Sequence, residues 1–151
     1  MIFLRSVFLS IGSNLSPQKN IPACIQLLKE KFDGATFSSV YETKPVGPAG
    51  NKNFWNLAAE IKTDLSAAAL STELRKVEAA LGRQRNQTDK FAPRTIDLDI
   101  LPQPGYQKMG FIMIPLAEIA PGSKDPESGK TFAELAAPLL KETEAFRKII
   151  L

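Results

Sequence analysis

Asp97 and Asp99 stand two residues apart in the segment Arg94-Thr95-Ile96-Asp97-Leu98-Asp99, with Ile96, Leu98 and Ile100 at the alternate positions. In an extended strand successive side chains point to opposite faces, so this pattern separates an apolar face from an acidic one. The two residues would lie roughly 6 to 7 Å apart along the backbone, near enough for both carboxylates to lean onto one divalent cation or a pair. Arg94 precedes them, and Arg83, Arg85 and Lys90 lie in the segment before. Cations beside paired carboxylates suit a nucleoside triphosphate: the cations hold some phosphate oxygens while a magnesium ion neutralises others. Taken alone, Asp-x-Asp is more often a pair of solvated aspartates, and a basic segment equally well complements a helix C-terminus.

Phe54 and Asn56 share the second face of an alternating segment, offering an aromatic plate and an amide that both donates and accepts. A flat heterocycle could use both, although a lone Phe is more often a core or edge aromatic. The chain has no histidine and one cysteine, Cys24. That removes the commonest general base, the usual partner of a nucleophilic Ser or Cys, an intrachain disulfide and a zinc cluster. Catalysis must then rest on carboxylates, Lys, Arg and metal ions. Gly129-Lys130-Thr131 resembles the end of a phosphate-binding loop, but Lys124 occupies the required upstream glycine position.

The elements that must position these groups follow from periodicity. Val7 to Ile11 reads as a buried strand closed by the turn Gly12-Ser13-Asn14. Ser16 and Pro17 have the chemistry of a helix start, and Ile21, Ile25, Leu28 and Phe32 recur at helical spacing, predicting a helix over about 17 to 32. Residues 36 to 43 favour strand, and a Pro/Gly-rich loop follows at 44 to 50. From Phe54 to Thr63 the residues alternate, with Trp55, Leu57, Ala59 and Ile61 expected to meet the helices. Ser66 can cap a helix carrying Leu70, Leu74, Val77 and Leu81, with Gly82 at its C-cap. Thr95 to Ile100 reads as strand, and so does Phe111 to Ile114 before Pro115. Thr131-Phe132-Ala133-Glu134 forms a capping box for a last helical segment that Pro138 should break or offset. The order β-α-β-β-α-β predicts an α+β sandwich, helices on one face of an antiparallel or mixed sheet and the other face partly open to chemistry.

At 151 residues with 44% hydrophobic content, the chain is expected to form a single domain over 1 to 151. Its formal charge of +3 favours no partner class by itself. No apolar run approaches the ~18 residues of a membrane span, and the expectation is a soluble cytoplasmic protein without a membrane partner.

Taken in order, Ile11-Gly12-Ser13-Asn14-Leu15, Ser38 to Thr43, Phe54-Trp55-Asn56, Glu78 with Gly82-Arg83-Gln84-Arg85, and Pro93 to Ile100 resemble the 6-hydroxymethyl-7,8-dihydropterin pyrophosphokinases of folate biosynthesis. The resemblance implies a ferredoxin-like fold, with ATP, two magnesium ions and a reduced pterin as ligands. It implies that Asp97 and Asp99 bind the metal, with Arg83 and Arg94 also catalytic. It places Thr43, Val46, Phe54, Asn56 and Phe111 at the pterin, and Glu78, Arg83, Arg85, Phe91, Arg94, Ile100 and Gln103 along ATP. The implied reaction transfers pyrophosphate to the pterin alcohol and releases AMP by positioning and charge neutralisation. Other enzymes of the folate pathway are the implied partners.

This chain departs from the family pattern after Ile100, going directly to Leu101-Pro102-Gln103-Pro104 where a hairpin-like segment is expected. Gln103 stands in place of a nucleotide-contacting His and Met109 in place of an Arg, with Lys108 beside it. One alternative is therefore a pterin- or nucleotide-binding pseudoenzyme. A basic nucleic-acid-binding module is a weaker one, because the aromatic RNA-recognition signature is absent and Asp97 and Asp99 would repel a phosphate backbone unless metal-bound.

Overall fold

The computed structural model describes residues 3–43, 53–83 and 95–151. Six strands, β1 (Arg5–Ser13), β2 (Thr36–Phe37), β3 (Val40–Thr43), β4 (Phe54–Thr63), β5 (Asp97–Ile100) and β6 (Arg147–Ile149), form one sheet. Its order is β5-β1-β4-β3-β6, with β2 pairing β4, and every pairing is antiparallel. Among the described residues four α-helices accompany it: α1 (Pro17–Lys31), α2 (Ala67–Ala80), α3 (Gly110–Ile119) and α4 (Phe132–Ala136). The molecule is thus α+β, with an open antiparallel sheet.

The expected alternation in β4 is what builds the principal core. Leu57, Ala59 and Ile61 join Leu9 and Ile11 of β1, Leu98 of β5, Ile21, Cys24 and Leu28 of α1, and Leu70, Leu74 and Val77 of α2. These side chains are nearly all fully buried, so each stripe contributes on the order of 1.5 to 3 kcal/mol per large residue removed from water. Helix α2 begins as its sequence predicts, with the Ser66 hydroxyl accepting from the Ala69 N–H at 3.1 Å. It ends at Gly82, whose φ of +86° lets the Gly82 N–H reach Ala79 O and the Arg83 N–H reach Glu78 O, both at 3.0 Å. This is the paired C-terminal closure that a residue without Cβ permits, and it reverses the chain so that Arg83 points back toward β5.

Four expectations are corrected. Phe111 to Ile114 is not a strand but the first part of α3, with Pro115 inside the helix. A short apolar run looks the same in a buried strand and a buried helix, and this helix is apolar nearly all round: Ile112, Met113, Ile114, Pro115 and Leu116 are all buried. Helices also occupy both faces of the sheet rather than one. Ala58 of β4 belongs to a second core with Leu101, Tyr106, Ile112, Met113, Leu116, Phe132 and Ala136, while Phe8 packs edge-on to Phe132 at 5.2 Å. Gly12 lies inside β1, not in a turn after it. Ser16 precedes α1 but adopts a left-handed conformation (φ 48°) and makes no capping bond; Asn20 Nδ2 instead donates to Leu15 O at 2.7 Å. The capping box at Thr131 and Glu134 forms as expected, and beyond Ala136 the chain tightens into a 3-10 helix through Pro138.

Candidate active site on the polar row of the sheet

Register assembles the site. β1 runs between β5 and β4, pairing Gly12 with both Asp97 and Asn56, and Ser10 with both Asp99 and Ala58. Paired residues share a face, so Asp97, Gly12, Asn56 and then Tyr41 of β3 form one row across four strands. The apolar face of β5 behaves as its sequence predicts, with Ile96 and Leu98 fully buried. Asp97 and Asp99 therefore point away from the α1/α2 core, onto the face that carries Asn56 and Ala58.

Gly12 determines what that row can hold. A Cβ at this position would come within 3.0 Å of Asn56 Oδ1 and 3.8 Å of the Phe54 ring. Glycine in a strand interior is costly, and its usual reward is close approach by another group. Here it lets the Asn56 amide and the Phe54 ring close over the strand between the amide and Asp97. Asn56 is itself fixed, since its Nδ2 donates to Thr43 Oγ1 at 2.7 Å and both residues are buried. Thr43, Phe54 and Asn56, three of the residues expected at the pterin, thus come together. Phe111 sits on α3, half-buried against the second core, on the same side of the sheet.

The other edge is electrostatic. Arg83, delivered by the Gly82 reversal, donates from Nη1 to Ile96 O at 2.7 Å and to Asp97 Oδ1 at 3.2 Å. Its side chain is 9% exposed and that of Asp97 19%, so the pair is shielded enough for the guanidinium to offset the repulsion between neighbouring carboxylates. Arg83 Nε and Thr95 Oγ1 are buried without a hydrogen-bond partner among the described residues. Glu78 is buried, accepting from the Leu98 N–H at 2.7 Å and from Arg75 at 2.7 Å. Ile100 is half-buried at the end of β5, and Gln103 is exposed, its Nε2 donating to Ile100 O at 2.9 Å. Val46, Arg85, Phe91 and Arg94 lie outside the described residues, as do the loop 44–50 and Lys90.

Two contributors escaped the sequence reading. Gly12 follows an apolar run and so reads as a turn residue, although a glycine within an apolar strand pattern is itself a signal of close approach. Arg75 gave no signal at all, because its partner Leu98 O belongs to a different element.

A family model described as 7,8-dihydro-6-hydroxymethylpterin-pyrophosphokinase matches residues 8–121. The chain is 32% identical over 146 residues to the 2-amino-4-hydroxy-6-hydroxymethyldihydropteridine pyrophosphokinase of Aquifex aeolicus, covering 87% of this chain and 90% of that one. The enzyme of that name from Pseudomonas aeruginosa is 30% identical over 151 residues, covering 89% and 91%. That from Bacillus subtilis is 33% identical over 129 residues, covering 74% and 76%. In the first of these, 87% of 151 residues is about 131, fewer than the 146 aligned, so about 15 positions of the relative have no counterpart here.

Proposed function

The chain belongs to the 7,8-dihydro-6-hydroxymethylpterin-pyrophosphokinase family, and from that membership we propose that it transfers pyrophosphate from ATP to 6-hydroxymethyl-7,8-dihydropterin, a step of folate biosynthesis. The pterin alcohol oxygen attacks the β-phosphorus, the bond from that phosphorus to the α-phosphate's bridging oxygen breaks, AMP leaves, and the alcohol proton passes to solvent. No protein nucleophile is required, which suits a chain without histidine.

The observation that supports this reading most is the single row joining Asp97 to Asn56 through Gly12. One end presents carboxylates for a metal-bound phosphate chain and the other an amide and an aromatic ring for a flat heterocycle. The alcohol and the β-phosphorus would meet between them, so much of the rate would come from orientation. The donor set fits magnesium. Asp97 and Asp99 offer hard carboxylate oxygens, and no group of three or more His, Cys, Asp or Glu gathers among the described residues. Magnesium is commonly held by one or two carboxylates, with waters and substrate phosphates completing its shell. Bound there, two magnesium ions would neutralise phosphate charge as it redistributes.

Within this reading Thr43 fixes the Asn56 amide, whose Oδ1 accepts from a pterin ring N–H. Phe54 and Phe111 flank the ring, and Val46 lies beside it. Arg83 balances Asp97, and Arg94 adds a second guanidinium for the phosphates. Arg85, Phe91, Glu78, Ile100 and Gln103 belong to the nucleotide side. The β1-α1-β3-β4-α2-β5 core is read as ferredoxin-like, and the protein as cytoplasmic.

Release of AMP from ATP by the intact chain with magnesium and the pterin tests the proposal directly. Asp97→Ala and Asp99→Ala should each lower turnover by at least about 100-fold while the protein melts cooperatively. Retained activity in both variants overturns the metal assignment. A second reading, ligand binding without turnover, is favoured by the residues of the relatives that have no counterpart here; it prevails if the wild-type chain binds ATP or pterin and forms no AMP.

A further inference from the structure

Among the described residues β5 is an edge strand, with β1 on one side only. In an antiparallel pair, alternate residues turn both backbone polar groups toward the partner and the residues between turn both away. Leu98 is one of the latter: its N–H and C=O leave the sheet, while its neighbours Asp97 and Asp99 face Gly12 and Ser10 of β1. The outward groups do not meet water. Glu78 Oε2 accepts from the Leu98 N–H at 2.7 Å, and Arg75 Nη1 donates to Leu98 O at 3.3 Å. Arg75 Nη1 also donates to Glu78 Oε1 at 2.7 Å, one turn along the same helix. Together the two side chains offer Leu98 the acceptor and the donor that another strand would have offered.

This arrangement exceeds what holding α2 to the sheet requires, since Leu70, Leu74 and Val77 already pack there. Keeping a carboxylate 1% exposed is costly unless it is paired and hydrogen-bonded, and Glu78 is both. The residue it grips stands between the two aspartates. We propose that Arg75 and Glu78 are positioning residues for Asp97 and Asp99, acting as a side-chain strand that fixes the backbone between them. Carboxylates must be held within about 0.5 Å of their working geometry to serve a metal, and a strand bonded on one edge only is free to twist by more. The inference rests on the proposed metal and phosphate role of the aspartates.

The test uses the full chain carrying Arg75→Met, which keeps the apolar stem and removes the donors, with Arg75→Lys as the rescue and Arg75→Gln in reserve should the Met variant fail to fold. Hydrogen exchange at the Leu98 amide, read by NMR without ligands, is expected to quicken by about tenfold or more in Arg75→Met and to recover in Arg75→Lys. Turnover at saturating ATP and pterin is expected to fall about 10- to 100-fold with a raised magnesium requirement, the pterin KM changing by less than about twofold. Wild-type exchange at Leu98 overturns the clamp. Faster exchange with unchanged turnover and magnesium requirement overturns the positioning role and leaves an edge cap. If the wild-type chain itself releases no AMP, the proposed function fails separately; the clamp is then judged on Leu98 exchange together with the affinity for magnesium and a non-hydrolysable ATP analogue, and it falls if Arg75→Met leaves either unchanged.

Discussion

Gly12→Ala adds one methyl group to the middle of the polar row. Gly12 lies in regular extended backbone, which alanine adopts freely, so the perturbation is steric. The new Cβ would stand 3.0 Å from Asn56 Oδ1, against about 3.3 to 3.6 Å for a comfortable carbon–oxygen contact. Asn56 must yield by a few tenths of an ångström, but its amide is held at 2.7 Å by Thr43 and is only 4% exposed. The cost is bounded by loss of that buried hydrogen bond, about 1 to 3 kcal/mol, which corresponds to about a 5- to 150-fold weaker grip on the pterin. Calorimetric titration with the reduced pterin would measure it, alongside a thermal melt. Because the strain passes through one side chain, a double-mutant cycle isolates it: in an Asn56→Ala background, Gly12→Ala should cost almost nothing. Wild-type affinity and melting in Gly12→Ala, or the same loss with Asn56 already truncated, would refute the reasoning.

Other tests address the layer behind the site. The buried Asp125 accepts from the Tyr106 hydroxyl at 2.6 Å and from the Ser128 N–H at 2.9 Å; Tyr106→Phe removes one donor and should cost about 1.5 to 3 kcal/mol, read as a fall of several degrees in Tm. Burial pushes the Asp125 carboxyl up, but Tyr106, Ser128 and Gln107 together pull it well below the usual carboxylate range. A depressed folded pKa contributes stability above the unfolded value of about 3.9 and loses it as pH falls further, so urea unfolding should show an acid limb below about pH 4 that Asp125→Asn flattens. Glu118 adds to that limb, since burial raises it but hydrogen bonds from Tyr41 and Ser39 lower it further. Ser66→Ala removes the α2 cap and should cost about 1 kcal/mol by denaturant unfolding without changing the pterin KM.

Where the information was local, it was legible before any coordinates. The alternation from Phe54 to Thr63 and the stripes of α1 and α2 each name the face that meets the principal core, because strand and helix periods differ; that the other face of β4 is also covered was not readable there. The capping chemistry at Ser66 and Thr131 and the reversal at Gly82 were equally readable. The apolar run at Phe111 was not, since a stretch buried on every side carries no period to distinguish strand from helix.

The sequence by itself determined that Asp97 and Asp99 share a face, that Leu98 between them is core, and that cations lie close before them; these follow from the two-residue repeat of a strand. It also determined that no histidine serves the chemistry. Only the tertiary structure decided what stands opposite. Gly12 lies 85 residues from Asp97 and 44 from Asn56, and they meet because β1 pairs both partners in one register. Arg75 and Glu78 meet Leu98 because α2 packs beside the sheet edge that β1 leaves open. Registers and helix docking are settled by the summed burial of both cores, a quantity no local pattern contains.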